Sequence, residues 1–152
     1  EGIDRQDLGE FMRGRAITAY ALPNSQTLKA AWLFRIDLDD GSSLELSSAS
    51  TEVVDWQEVG SLNIRLVDKS SPPVEDFLWV DMLPLEIVGM DVLIYEDEDV
   101  ISECGIVICG MDGNEVIVAA GIPPGSVSIM NPIFGGAFEP HFSASTCRRI
   151  RL

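Results

Sequence analysis

Basic side chains are scarce in this chain: 8 arginines and 2 lysines stand against 25 aspartates and glutamates, a formal net charge of −15 over 152 residues. Such a field repels a polyanion, and nucleic-acid binding is excluded on that ground. Histidine is rarer still. A single imidazole, His141, rules out a multi-histidine zinc site. The three cysteines, Cys104, Cys109 and Cys147, are an odd number, unlike an oxidised framework. They read as reduced apolar fillers, which points to a cytoplasmic protein. No apolar run approaches the roughly 20 residues that cross a bilayer. Glu1–Arg5 lacks the apolar stretch after a basic start that marks a signal peptide. No GxxxxGK or GxGxxG phosphate cradle is present, and no cofactor motif.

What remains is a composition able to build a core. The hydrophobic fraction is 46%, far from that of a disordered acidic tail. The length suits one domain over residues 1–152. Thirteen glycines and eight prolines are spread through short β-branched runs, the texture of an all-β chain. Trp32, Phe34, Ile36 and Leu38 point one way and Leu33, Arg35 and Asp37 the other, which predicts a strand in a half-buried sheet. Asp39-Asp40-Gly41-Ser42 then turns the chain back through Leu44 and Leu46. A second hairpin runs from Gly105–Cys109 through Met111-Asp112-Gly113-Asn114 to Val116–Ala120. Its apolar arms belong in the most buried part of the sheet.

Further strands are expected at Ala16–Ala21, Ser61–Asp68, Leu85–Val88, Asp91–Tyr95 and Ser126–Met130, with Cys147–Leu152 as an edge strand. Asp4–Met12 predicts a short helix and Pro72–Trp79 a single helical turn. Asp55–Gly60 fits neither pattern. The fold expected is mainly β: one strongly bent antiparallel sheet, a roll or barrel of about eight strands, with one short N-terminal helix.

Chemistry-bearing residues are few. Eleven acids and one base, Lys69, lie between Asp68 and Glu103, densest at Glu96-Asp97-Glu98-Asp99 just after Tyr95. Four adjacent carboxylates are stable only in water, so they form either a solvated turn or a surface that attracts a cation-rich protein. Contiguous acids lack the spacing that wraps a calcium ion. Asp37–Gly41 misses the calcium-loop pattern as well, with glycine at the fifth position and Ser48 at the twelfth. His141 lies close in sequence to Ser143 and Cys147, but nothing fixes a base or an orienting group there, and it reads as a loop residue. Cys104 and Cys109 fall on opposite faces of a regular strand. Arg148-Arg149-Ile150-Arg151 reads as a triplet of arginines either paired with the chain's own carboxylates or solvated on an edge strand.

The segment Gly105–Ile129, with Phe138-Glu139-Pro140 and Arg148-Arg149-Ile150 after it, resembles small acidic β-rich bacterial proteins of unassigned activity, some of which are immunity partners of bacterial toxins. The resemblance covers under a third of the chain and implies no catalytic residue. Together these features predict a non-enzymatic acidic protein without metal or cofactor. It docks a basic protein partner through Glu96, Asp97, Glu98 and Asp99, with Tyr95 and Trp79 as packing anchors; in its most concrete form it neutralises a cationic toxin. The alternative is a small-ligand-binding barrel or roll with Trp32, Phe34 and Trp56 lining its pocket. Oligomeric state is not legible.

Overall fold

A computed structural model describes residues 5–52, 58–68, 77–98, 101–123, 125–131 and 138–152. The chain is mainly β, as the alternation predicts. One short helix, α1 (Arg5–Met12), precedes β1 (Ala16–Pro23), β2 (Phe34–Leu38), β3 (Ser42–Glu52), β4 (Glu58–Asp68), β5 (Phe77–Glu96), β6 (Ile101–Gly110), β7 (Glu115–Ala120), β8 (Val127–Met130) and β9 (Arg148–Arg151). All pair antiparallel in the order β4-β3-β2-β1-β5-β6-β7-β8, with β9 on β5.

Strand β5 joins two half-sheets. Its first half pairs with β1; its second half pairs with β6 on one side and β9 on the other. The sequence predicts two separate strands here and a helical turn reaching Trp79. The structure has one 20-residue strand that already includes Phe77–Trp79, while Pro72–Asp76 lie outside the described residues. The two strands fuse because bulges replace a break. Asp81 opposite Ala19 and Leu85 opposite Ile17 leave three β5 residues facing the single Thr18. Pro84 sits in that bulge, where a missing N–H breaks no ladder bond. A second irregularity at Val88 bends the strand again.

The bend folds one half-sheet over the other. In the first, Val80, Tyr20, Ile36, Leu44 and Leu66 stand in one cross-strand row. In the second, Val92, Ile106, Val118 and Ile129 form the facing row. Most of these side chains are buried in one cluster, which Leu8 and Met12 of α1 complete. The sheet bends without closing. The free edge of β8 is met by the segment before β2: the Ala31 and Val127 amides each donate to the other's carbonyl (2.9 and 2.6 Å), and the Ile129 amide donates to Leu28 (2.8 Å). On the far side, the Leu152 amide donates to Met90 (2.9 Å), so the chain end rests against Gly9 of α1.

Three local expectations need correction. Trp32 is not in β2; it lies in a bend before the strand and is 58% exposed, because residues 28–31 turn aside to cap β8. Arg35 and Asp37 are not half-buried but almost wholly covered. Cys104 and Cys109 do not face opposite ways: Leu93 pairs with Gly105 and Ile94 with Glu103, so Cys104 is the extra residue of a bulge. A bulge breaks the period of two, and both cysteines join the same outer cluster with Leu93, Val107, Ile117, Phe138, Phe142 and Cys147. Trp56 lies outside the described residues.

Gly105 in β6 tests this packing. A Cβ there would stand 2.8 Å from the Val118 carbonyl oxygen and 3.1 Å from the Ala119 Cα, backbone that cannot step aside. Gly105→Ala is expected to cost about 1–3 kcal/mol of folding stability, read as a lower denaturation midpoint with an unchanged slope.

Candidate partner-binding face

The acidic tip lies where β5 ends and β6 begins. Glu96, Asp97 and Glu98 are exposed there, and Asp99 lies outside the described residues. Glu103, exposed on β6, sits opposite Ile94, and Ile101, opposite Glu96, is 71% exposed. Tyr95 is half-buried. Its ring stacks on Phe142 at 3.8 Å and 7°, and its hydroxyl donates to Asp97 Oδ2 at 3.0 Å. That bond is the main reason its phenol is pushed above the ordinary 10.0, with burial and the Asp97 and Cys147 charges adding to it. Ionisation would remove the donor and set two anions face to face. Tyr95 therefore contributes to holding the tip in shape.

Trp79 stands at the other end of β5, opposite Ala21 of β1. The structure does not bring it together with Tyr95. It is 43% exposed, edge-on to Phe77 at 6.0 Å, and the Arg35 guanidinium lies 5.3 Å from its ring. Trp79, Ala21, Arg35, Glu45 and Arg65 form one row across five strands. Beside it, Asp81, Ala19, Asp37, Ser43 and Val67 form the next. Arg35, only 1% exposed, lies 3.7 Å from Asp37 and 3.9 Å from Glu45, and donates to the Asp68 carbonyl at 3.1 Å. Ser43 donates to Asp37 at 2.6 Å, and Arg65 pairs with Glu45. Two cations and two anions balance, which is what makes burial of this charge tolerable. Period-two alternation marks which face these residues share but cannot tell a wet face from a covered one.

The C-terminal arginines are committed in the same way. Arg149 donates from Nε and Nη2 to Asp91 Oδ2 (3.1 and 2.8 Å) and from Nη2 to Glu115 (2.7 Å). Those bonds, to Glu115 first and then Asp91, raise its pKa further. Arg151 Nε reaches the other Asp91 oxygen at 2.9 Å, beside Gly89, whose missing Cβ leaves room for that guanidinium. Arg148 pairs with Glu96 at 2.8 Å. Between exposed groups this pair adds at most about 1 kcal/mol, but it removes one charge from the tip. The edge strand is present, and of the two readings of the arginine triplet the structure has the self-paired one.

A second group of acids was not legible in the sequence. Asp39 of the β2–β3 turn donates its amide to Ala16 (3.0 Å); Ala16 pairs with Glu86; the Met111 amide, in the β6–β7 turn, donates to Glu86 (2.9 Å). Three distant segments thus bring Asp39, Asp40, Glu86 and Asp112 to one corner, among the exposed Leu83, Val88 and Met111. Arg15 pairs with Asp40 at 3.3 Å. Asp40 also accepts from the Ser42 amide (2.9 Å), making the local turn in place of a calcium loop.

Among the described residues, no three metal-ligating side chains converge. His141 is exposed, edge-on to Phe142 at 4.5 Å. A cavity bounded by Leu8, Leu62, Ile64, Val92, Glu103, Gly105 and Ile106 measures about 30 Å³, room for a water molecule.

Two predictions follow from these contacts. Arg35→Met would leave Asp37 without a cation in a covered site, and Glu45 with Arg65 alone, and is expected to cost about 3–5 kcal/mol in chemical denaturation. In an ultraviolet titration, Tyr95 should ionise above 10.0, and Asp97→Asn should return it most of the way. Because the folded value is raised, the stability that the neutral phenol contributes is lost as pH climbs past 10.0, not as it falls. No family model, curated protein or solved structure matches the chain significantly.

Proposed function

We propose that this chain is a non-enzymatic binding protein that docks a basic protein partner through its exposed carboxylates. One observation carries the reading: among the described residues, most of its cations are spent internally. Arg15, Lys29, Arg35, Arg65, Arg148, Arg149 and Arg151 all stand in ion pairs with carboxylates of the chain. Beside these pairs, further carboxylates stand exposed, among them Asp39, Glu86, Asp97, Glu98, Glu103 and Asp112.

The tip is the docking face we favour. Asp97, Glu98 and Glu103 lie within a few residues of one turn, beside the exposed Ile101, so attraction and an apolar contact are adjacent. Charges this close act together, since screening takes about 8 Å at physiological salt. Glu96, half of a pair with Arg148, becomes available if a partner's cation displaces that arginine. Asp99 belongs to the same run in sequence. Trp79 serves at most a separate contact. In its most concrete form the partner is a cationic toxin such as a nuclease, whose phosphate-attracting surface a carboxylate face would cover. The ligand-binding alternative has less support, because a drug-sized ligand needs about 300–1,000 Å³ and Trp32 stands outside the core.

The test is affinity capture from the native lysate at low and high salt, with wild type and with Asp97→Asn/Glu98→Gln/Glu103→Gln. A basic protein retained by wild type, released by salt and bound far more slowly by the triple variant is the expected result. Equal retention by the triple variant, or a partner that is not basic, would overturn the docking face.

A further inference from the structure

We propose that Cys104 and Cys147 are an oxidisable pair that forms an intramolecular disulfide on exposure to a peroxide, stapling β6 to the start of β9. The two Sγ atoms lie 3.6 Å apart, although the residues are 43 positions apart in sequence. Disulfide sulfurs sit about 2.05 Å from one another, so an approach of roughly 1.5 Å closes the bond. The surroundings allow that movement. Cys147 lies between the 3-10 turn Ala144–Thr146 and β9, outside both, and Cys104 occupies a bulge. Neither residue has to break a regular ladder to turn its side chain.

The two thiols are unequal, which sets the order of events. Cys104 is buried, and its thiol donates toward the Leu93 carbonyl at 3.7 Å. Burial, with the Cys147 sulfur next to it, pushes it up to about 12. It is a poor first nucleophile. Cys147 is only half-buried and meets solvent. Its thiolate attacks one oxygen of hydrogen peroxide; the S–O bond forms, the O–O bond breaks, and hydroxide leaves as water. The Cys147 sulfenic acid then loses its oxygen to attack by the Cys104 sulfur. The S–S bond forms, the S–O bond breaks, and a second water departs with the Cys104 proton. Two thiols are oxidised by two electrons and one peroxide is reduced to two waters. Cys109, the third cysteine, is engaged elsewhere, within 3.8 Å of Glu115 and 4.0 Å of Arg149.

The bond would tie down the strand that carries Arg148, Arg149 and Arg151. This inference is independent of the docking reading, since it concerns only the chain's own thiols. The experiment treats the reduced protein with hydrogen peroxide, then measures free thiols after denaturation, intact mass and the crosslinked peptides. Free thiols should fall from three to one, the mass should drop by two hydrogens, and Cys104 and Cys147 should be found in one peptide pair. Tm should rise on the order of 5–10 °C, reversibly with dithiothreitol. Cys109→Ser should behave in the same way, with no free thiol left. Cys147→Ser, at a half-exposed site that tolerates serine, should keep its two thiols and gain no stability. Three thiols surviving, a bond involving Cys109 or a second chain, or direct passage of Cys147 to its sulfinic acid would each overturn the inference.

Discussion

Everything in this fold hangs on β5 serving two half-sheets at once. A strand of 20 residues in a flat sheet would leave one broad apolar face in water. The bulge around Pro84 and the irregularity at Val88 turn it instead, so that the row of Tyr20, Ile36 and Leu44 meets the row of Ile106, Val118 and Ile129. Burying each such aliphatic chain contributes about 1.5–3 kcal/mol, and only the bend brings both rows out of water together. The same bend exposes the middle of β5, where Leu83 and Glu86 project. It also frees the second half of β5 on its β1 side, and β9 takes that place.

Much of this architecture was readable. Both hairpins carry Asp-Gly between their arms, alternating in the first and continuously apolar in the second, and the turns form there, with Gly41 and Gly113 at φ of 89° and 85°. The C-terminal edge strand was legible too, and self-pairing was one of the two readings its arginines allowed. The errors share one cause. A local period of two assumes an unbroken ladder, and at Cys104 and around Pro84 the ladder is broken. Bulges are set by what the partner strand does, so the sequence of one strand carries little trace of them. That is why Leu85–Val88 and Asp91–Tyr95 read as two strands, and why Cys104 and Cys109 read as facing opposite ways.

The candidate site was legible in the same partial way. The Glu96–Glu98 run is continuous in sequence, so its exposure at a turn followed directly. The convergence of Asp39, Glu86 and Asp112 depends on the order β2-β1-β5-β6, which no spacing encodes. The separation of Trp79 from Tyr95 is likewise a matter of strand length: placing them on one continuous β5 sends them to opposite ends, whereas two short strands with a turn between could have returned them to each other.

The placement of the cations explains how a chain of net charge −15 stays folded without spreading them evenly. Arg35 beside Asp37 and Glu45, and Arg149 and Arg151 around Asp91, stand where the carboxylates are nearly covered and desolvation makes an unpaired charge most costly. Exposed acids need no such partner, because water and salt screen them within about 8 Å. Ten cations distributed for overall neutralisation would have left Asp91 and Glu45 stranded and the tip half-discharged. Placing Arg35, Arg65, Arg149 and Arg151 on buried acids secures the sheet and leaves other carboxylates facing solvent. Arg15 with Asp40, Lys29 with Glu139 and Arg148 with Glu96 pair at the surface instead, and Arg148 links the two roles: it extends the strand that holds Asp91, yet reaches Glu96 at the tip. Any change that anchors or releases β9 therefore acts on the tip's net charge as well as on the edge of the sheet.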